Sequence, residues 1–139
     1  MTTTLVYGLA IAGRAVASEL VARGEHVVLA DDMSSEESSE FAKTLNSKVS
    51  VKPSVKELEL ILQQVDRVVP APGIAESHVL FQTSMRMNKP VMSEIELAYR
   101  FEQMNSKPRP MLGITGTDGK TTTTLMTAAM LNAANCKTA

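Results

Sequence analysis

The sequence predicts an α/β fold: a parallel five-stranded sheet domain, then the first strand, glycine loop and helix of a second α/β domain. Three observations carry that expectation. Short apolar runs alternate with amphipathic stretches of helical spacing, the signature of a parallel sheet built from β-α-β units. The pattern restarts after a segment with two prolines and two basic residues, Asn105 to Pro110, which reads as a linker. The chain has 139 residues and is 44% hydrophobic, enough to bury one ordinary domain core.

The elements follow in order. Leu5-Val6-Tyr7 reads as a buried strand. Ala12 to Arg23 places Val16, Leu20 and Val21 on one helical face, and Gly24 stops it. Val27 to Ala30 is a second buried strand. Ser34 to Thr44 opens on a capping serine with acidic residues in its first turns, as a helix N-terminus favours. Val49 to Val51 alternates as a short strand, and Val55 to Gln64 has helical apolar spacing. Arg67 to Val69 is a strand stopped by Pro70. Ser77 to Met87 is a helix, Pro90 to Met92 a fifth strand, and Glu94 to Gln103 a further helix. Beyond the linker, Met111 to Thr115 reads as a strand, Gly116 to Gly119 as a tight loop and Lys120 to Ala134 as a helix. A lone strand and helix cannot cover both faces of a parallel strand, so the expectation is one whole domain and the opening of another.

Charge and cysteine content narrow the function classes. Fourteen basic and fifteen acidic residues leave a net charge of -1, so no basic excess points to nucleic acid. No run of 18 apolar residues suggests a membrane span, and no basic stretch precedes an apolar one to suggest a secretory signal. Cys136 is the single cysteine, which excludes an internal disulfide framework and fits a reducing, cytoplasmic location. No Cys/His cluster has zinc-ligand spacing.

The most specific segment is Gly113-Ile114-Thr115-Gly116-Thr117-Asp118-Gly119-Lys120-Thr121-Thr122, between an apolar run and a helix. Backbone N–H groups at a helix N-terminus favour phosphate, and Gly116 and Gly119 let the chain approach oxygen atoms closely. Lys120 can reach the β and γ phosphates of ATP, and the Thr121 hydroxyl can ligate Mg2+. The generic phosphate loop wants glycine where Ile114 stands, so the match is to a shorter variant, Gly-Thr-x-Gly-Lys-Thr. A second glycine loop lies near the N-terminus. Gly8 and Gly13 flank a strand-to-helix turn, and Asp31 ends the next strand 18 residues after Gly13. That resembles a dinucleotide fingerprint, so an NAD-dependent oxidoreductase domain is one reading; against it, Ala10 occupies the position of the middle glycine.

Ile-Thr-Gly-Thr-Asp-Gly-Lys-Thr-Thr resembles the ATP loop of the Mur ligases and of the related folylpolyglutamate synthases. Three further segments resemble the D-glutamate-adding members of the Mur ligases: Tyr7 to Gly13, Ala71-Pro72-Gly73-Ile74, and Ser93-Glu94-Ile95-Glu96-Leu97. The resemblance covers the whole chain as the N-terminal portion of a three-domain enzyme. It implies a Rossmann-like UDP-substrate-binding domain over 1–93 and the start of a central ATP-binding domain over 94–139. It implies a ligase of peptidoglycan synthesis that uses ATP and Mg2+ to join D-glutamate to UDP-N-acetylmuramoyl-L-alanine. D-glutamate would be held by domains outside this chain, which alone would be inactive.

On that resemblance, the amides of Ile11 and Ala12 face the diphosphate, Asp31 and Asp32 lie at the uridine end, and Gly73 lines the same cleft. Gly116, Thr117, Asp118, Gly119, Lys120, Thr121 and Thr122 bind ATP, with Lys120 and Thr121 catalytic and Thr121 the magnesium ligand. The chain departs from the family pattern at Asp32, where threonine is frequent, at Ala71 for serine, and at Asp118 for asparagine. A non-catalytic UDP-sugar-binding module remains a further reading. His26, His78, the rest of the acidic run to Glu40 and the nine methionines read as structural or solvated. The apolar stripe Leu125, Met126, Ala129, Met130 and Ala133 lacks a partner in the sequence. Residues 111–139 are therefore expected to be mobile, to pair with another copy of the chain, or to fold back on the first domain.

Overall fold

The computed structural model describes residues 1–138. They divide into two compact units, Met1–Asn105 and a second that starts at Ser106. In the first unit, β1 (Thr3–Tyr7), β2 (His26–Asp31), β3 (Val49–Val51) and β4 (Arg67–Pro70) form one parallel sheet in the order β3-β2-β1-β4. β1 is central, pairing Leu5 with Val28 on one side and with Val68 on the other. The chain therefore leaves β1 in opposite directions, toward β2 and toward β4. The carboxyl ends of two such strands bound the crevice where open α/β sheets take ligands.

The strand period of two sorts β1 between two cores. Val6 faces a cluster with Leu9, Ala17, Leu20, Leu29, Ala42, Val69, Leu97 and Phe101. These come largely from α1 (Ile11–Ala22), α2 (Glu36–Thr44) and α5 (Glu94–Gln103). Leu5 and Tyr7 face the other cluster, with Leu58, Leu62, Val65, Val68 and Leu80. Its helical members belong to α3 (Val55–Gln64) and α4 (Val79–Arg86). Four of these helices are closed by a side chain at the N-cap. Ser35 accepts from the Ser38 amide, Ser54 forms a capping box with Glu57, His78 accepts from Leu80, and Ser93 accepts from Glu96.

Two expectations are corrected here. The sheet has four strands rather than five. Val91 makes only an isolated parallel bridge to Val68, with Val68 N–H donating to Pro90 O and Met92 N–H donating to Val68 O. Pro90 has no N–H, and Ser93 caps α5 directly afterwards, so the ladder cannot lengthen. No strand forms over Met111 to Thr115: a parallel strand needs a hydrogen-bonding neighbour, and the described residues of the second unit contain none. α5 packs in the first compact unit, which runs to Asn105, with Leu97 and Phe101 buried there. The second unit holds α6 (Lys120–Ala133), which buries none of its residues. Among the described residues no helix is long and apolar enough to cross a membrane.

Candidate functional site

The first glycine loop is fixed by close packing. Gly8 has φ +91°, and a Cβ there would stand 2.9 Å from the Ala71 side chain and 3.3 Å from Ile74. Gly13 sits inside α1 with ordinary helical torsions, yet a Cβ there would meet Gly8 O at 1.8 Å. One glycine lets the turn after β4 approach the loop, and the other lets α1 lie against the loop. Backbone bonds hold the same junction: Gly8 N–H donates to Ala30 O at 2.8 Å, and Ala71 N–H donates to Tyr7 O at 2.7 Å.

Asp31 is spent on this loop. Its carboxylate accepts from the Leu9 amide at 2.5 Å and from the Met33 amide at 2.8 Å, joining the β1 and β2 ends. In a dinucleotide site the equivalent acidic residue serves ribose hydroxyls; here both oxygens already take backbone donors. Asp32 is held by side chains instead. The buried Tyr7 hydroxyl donates to its Oδ1 at 2.7 Å, and His78 Nε2 lies 3.2 Å from its Oδ2. Since His78 Nδ1 accepts the Leu80 amide, the proton of the neutral ring sits on Nε2, facing Asp32. Burial first, then the bond to Asp32 and the charges of Asp32 and Asp31, hold the Tyr7 phenol well above the usual tyrosine range.

An open cleft of about 370 Å³ lies beside the loop, lined by Leu9, Ala10, Ile11, Arg14, Asp31, Met33, Ser35, Glu37 and Ser38. Ala10 caps α1 without a side-chain bond, so the first-turn amides of Ile11 and Ala12 have no capping side chain. Of the residues singled out from sequence, Ile11 and Asp31 line this cleft. Ala12 stands in the first turn above it. Asp32 and Gly73 are not lining residues: the Asp32 carboxylate is engaged by Tyr7 and His78, and Gly73 lies in the Ala71–Ile74 turn that packs on Gly8 from the β4 side. Tyr7, Arg14 and His78 were missed. Only Arg14 carries a signal in sequence: a cation near the start of a helix opposes the helix dipole.

In the second unit, the loop from Gly116 to Gly119 opens α6. Gly116 has φ +149° and Gly119, the N-cap, has φ +75°; no side chain caps this helix either. Lys120 Nζ turns back onto the loop, donating to Gly116 O at 2.5 Å and Thr117 O at 3.0 Å. Exposed carbonyls hold that ammonium, so phosphate oxygens can replace them without uncovering a buried charge. Thr121 and Thr122 follow in the first turn, and Asp118 is exposed in the loop. A single threonine hydroxyl suits magnesium, which keeps several waters and takes phosphate oxygens rather than a full protein cage.

No family model matches the chain. It is 38% identical over 129 residues to a UDP-N-acetylmuramoylalanine–D-glutamate ligase from Enterococcus hirae, covering 93% of this chain and 27% of that protein. It is 35% identical over 134 residues to the ligase of the same name from Syntrophus aciditrophicus, covering 96% and 28%. The chain thus spans about a quarter of the length of these curated relatives. In fold it is similar to a UDP-N-acetylmuramate:L-alanyl-gamma-D-glutamyl-meso-diaminopimelate ligase from Neisseria meningitides. That match has a TM-score of 0.63 at 20% identity and covers 96% of this chain and 40% of the other. Saccharopine dehydrogenase from Saccharomyces cerevisiae is also similar in fold, with a TM-score of 0.56 at 18% identity, over 67% of this chain and 21% of that one. With more than one-third of its residues shared across nearly its whole length, the chain is similar to a part, about a quarter, of the D-glutamate-adding ligases of the Mur ligase family.

Proposed function

We propose that this chain supplies the UDP-substrate anchor and the ATP loop of a ligase that adds D-glutamate to UDP-N-acetylmuramoyl-L-alanine in peptidoglycan synthesis. The observation that carries the reading joins sequence to structure. Among the described helices, the two opened by glycine loops, α1 and α6, are the two without a side-chain cap. Uncapped N-termini leave backbone donors and the positive end of the helix dipole for an anion. In this reading the Ile11 and Ala12 amides take the diphosphate of the UDP moiety. Asp31 acts by fixing the loop, and Asp32, with the Ala71–Gly73 turn, borders the uridine end.

The second loop is proposed to bind ATP with Mg2+. Gly116, Thr117, Asp118 and Gly119 wrap the phosphates, the Lys120 ammonium exchanges loop carbonyls for phosphate oxygens, and the Thr121 and Thr122 amides and the Thr121 hydroxyl complete the set. The reaction transfers the γ-phosphoryl group of ATP to the substrate carboxylate. The D-glutamate amine then attacks the acyl phosphate, forming the amide and releasing phosphate. The chain's share is positioning and charge stabilisation of the phosphoryl transfer. D-glutamate would be bound by the remainder of the longer protein, in the cytoplasm where UDP substrates and ATP are available.

The NAD reading predicts the opposite ligand response, so titration separates the two. UDP and UDP-N-acetylmuramoyl-L-alanine should shift the amide resonances of Ile11 and Ala12 saturably, while NAD should not. Saturable NAD binding without a UDP response would reverse the assignment. For the ATP loop, Lys120→Ala is placed in the chain joined to the rest of such a ligase. Turnover should fall more than about tenfold, roughly 1.4 kcal/mol of transition-state stabilisation. A smaller loss would remove Lys120 from the proposed role.

A further inference from the structure

We propose that Arg14 is an exchangeable phosphate ligand of the cleft, parked on Glu37 until a nucleoside diphosphate takes over its guanidinium. This rests on the reading of the α1 N-terminus as the diphosphate site and adds to it a side chain and a switch. Three observations converge. Among the residues lining the cleft, Asp31 and Glu37 are acidic and Arg14 is the single cation. A diphosphate entering without Arg14 would meet only like charge from side chains. Arg14 follows Gly13 at the start of α1, whose first turn contains no acidic residue. A cation there opposes the helix dipole, so helix stability does not account for it.

The present partner of Arg14 is easily displaced. Its guanidinium meets the Glu37 carboxylate across the cleft, where the Glu37 side chain is 74% exposed and that of Arg14 only 24%. An ion pair with so wet a partner is held weakly. The guanidinium itself is half-buried at the cleft wall. Its planar fork matches phosphate oxygens in a charge-assisted, bidentate arrangement stronger than the contact it would leave. Glu37 also belongs to the first turn of α2, where its charge sits favourably after Arg14 has left. α2 retains its Ser35 cap and Glu36 when Glu37 is changed, so the substitution tests the pair rather than the helix.

The experiment is a mutant cycle on this chain, titrating UDP, UMP and uridine at fixed low salt by amide shifts or calorimetry. Arg14→Gln should weaken UDP binding about tenfold or more, and Arg14→Lys by less, since charge survives but the fork does not. Neither should alter uridine binding. Glu37→Gln should tighten UDP about threefold by releasing the guanidinium, and that gain should disappear in the Arg14→Gln background. Equal UDP affinity of wild type and Arg14→Gln would overturn the proposal, as would a Glu37→Gln gain that persists without Arg14, which would be a plain field effect. A wild-type chain that binds no UDP overturns the underlying reading of α1 instead, and the inference with it.

Discussion

Gly13→Ala tests whether the first glycine loop works by close approach of helix to loop. In an exposed helix, alanine for glycine stabilises by about 1 kcal/mol. Here the added Cβ would stand 1.8 Å from Gly8 O, about 1.6 Å inside the 3.4 Å at which ordinary contact begins. The obstacle is backbone, pinned by the Gly8 bond to Ala30 O, so α1 must move rather than a side chain. Ala17 and Leu20 in the same helix are 0% exposed. A gap of even 0.5–1 Å forfeits about a quarter to a half of each dispersion contact. Losing most of the burial of Leu20, about 1.5–3 kcal/mol, and part of that of Ala17 outweighs the propensity gain. The expected net loss is about 2 kcal/mol, a fall in Tm of roughly 8–16 °C for a unit of this size. Gly24→Ala is the control: its φ is +78° but a Cβ there meets nothing within 4 Å, so only a left-handed backbone penalty of about 1–2 kcal/mol applies. Urea unfolding followed by circular dichroism compares the two. A Gly13→Ala protein as stable as wild type, or no less stable than Gly24→Ala, would refute the close-packing argument.

Three other outcomes are expected. Tyr7→Phe should cost about 1 kcal/mol through the lost bond to Asp32. The native phenol titrates above its unfolded value of 10, so its contribution is complete below that pH and is lost as pH rises beyond it. Urea midpoints at about pH 8 and pH 11 should therefore diverge less in the Phe variant, and equal divergence would deny Tyr7 that role. Glu25→Gln should destabilise the first unit by about 2 kcal/mol. It strips the counter-charge from Arg67, which donates to Glu25 at 2.5 Å and to Thr4 at 2.9 Å with each ionic side chain only 16% exposed; a change below about 0.5 kcal/mol would show the pair to be inert. The exposed Leu125, Met126 and Met130 of α6 should make hydrogen-exchange protection over 111–138 rise with protein concentration. Protection unchanged on dilution, in a species that sediments as a monomer, would exclude pairing between copies.

Much of this protein was legible in its sequence because the controlling signals are local. The alternation Leu5-Val6-Tyr7 assigns side chains to two faces with a period that any strand shares. The capping serine expected at the head of Ser34 to Thr44 is Ser35, whose bond to the Ser38 amide spans three residues. Glycines at 8, 13, 116 and 119 mark both loops. Tertiary structure decided the rest, since it depends on residues far apart in the chain that share no period. Asp31 serves the amides of Leu9 and Met33 rather than facing a ligand with both oxygens free. Asp32 is steadied by Tyr7 and His78, which come from β1 and the α4 cap. Arg14 gains its meaning only when α2 brings Glu37 across the cleft. Met111 to Thr115 shows the converse limit. Its apolar run carries strand propensity, but propensity is a weak preference that a ladder partner must complete. A strand is a property of at least two segments, and one segment's sequence cannot supply the hydrogen bonds of the other.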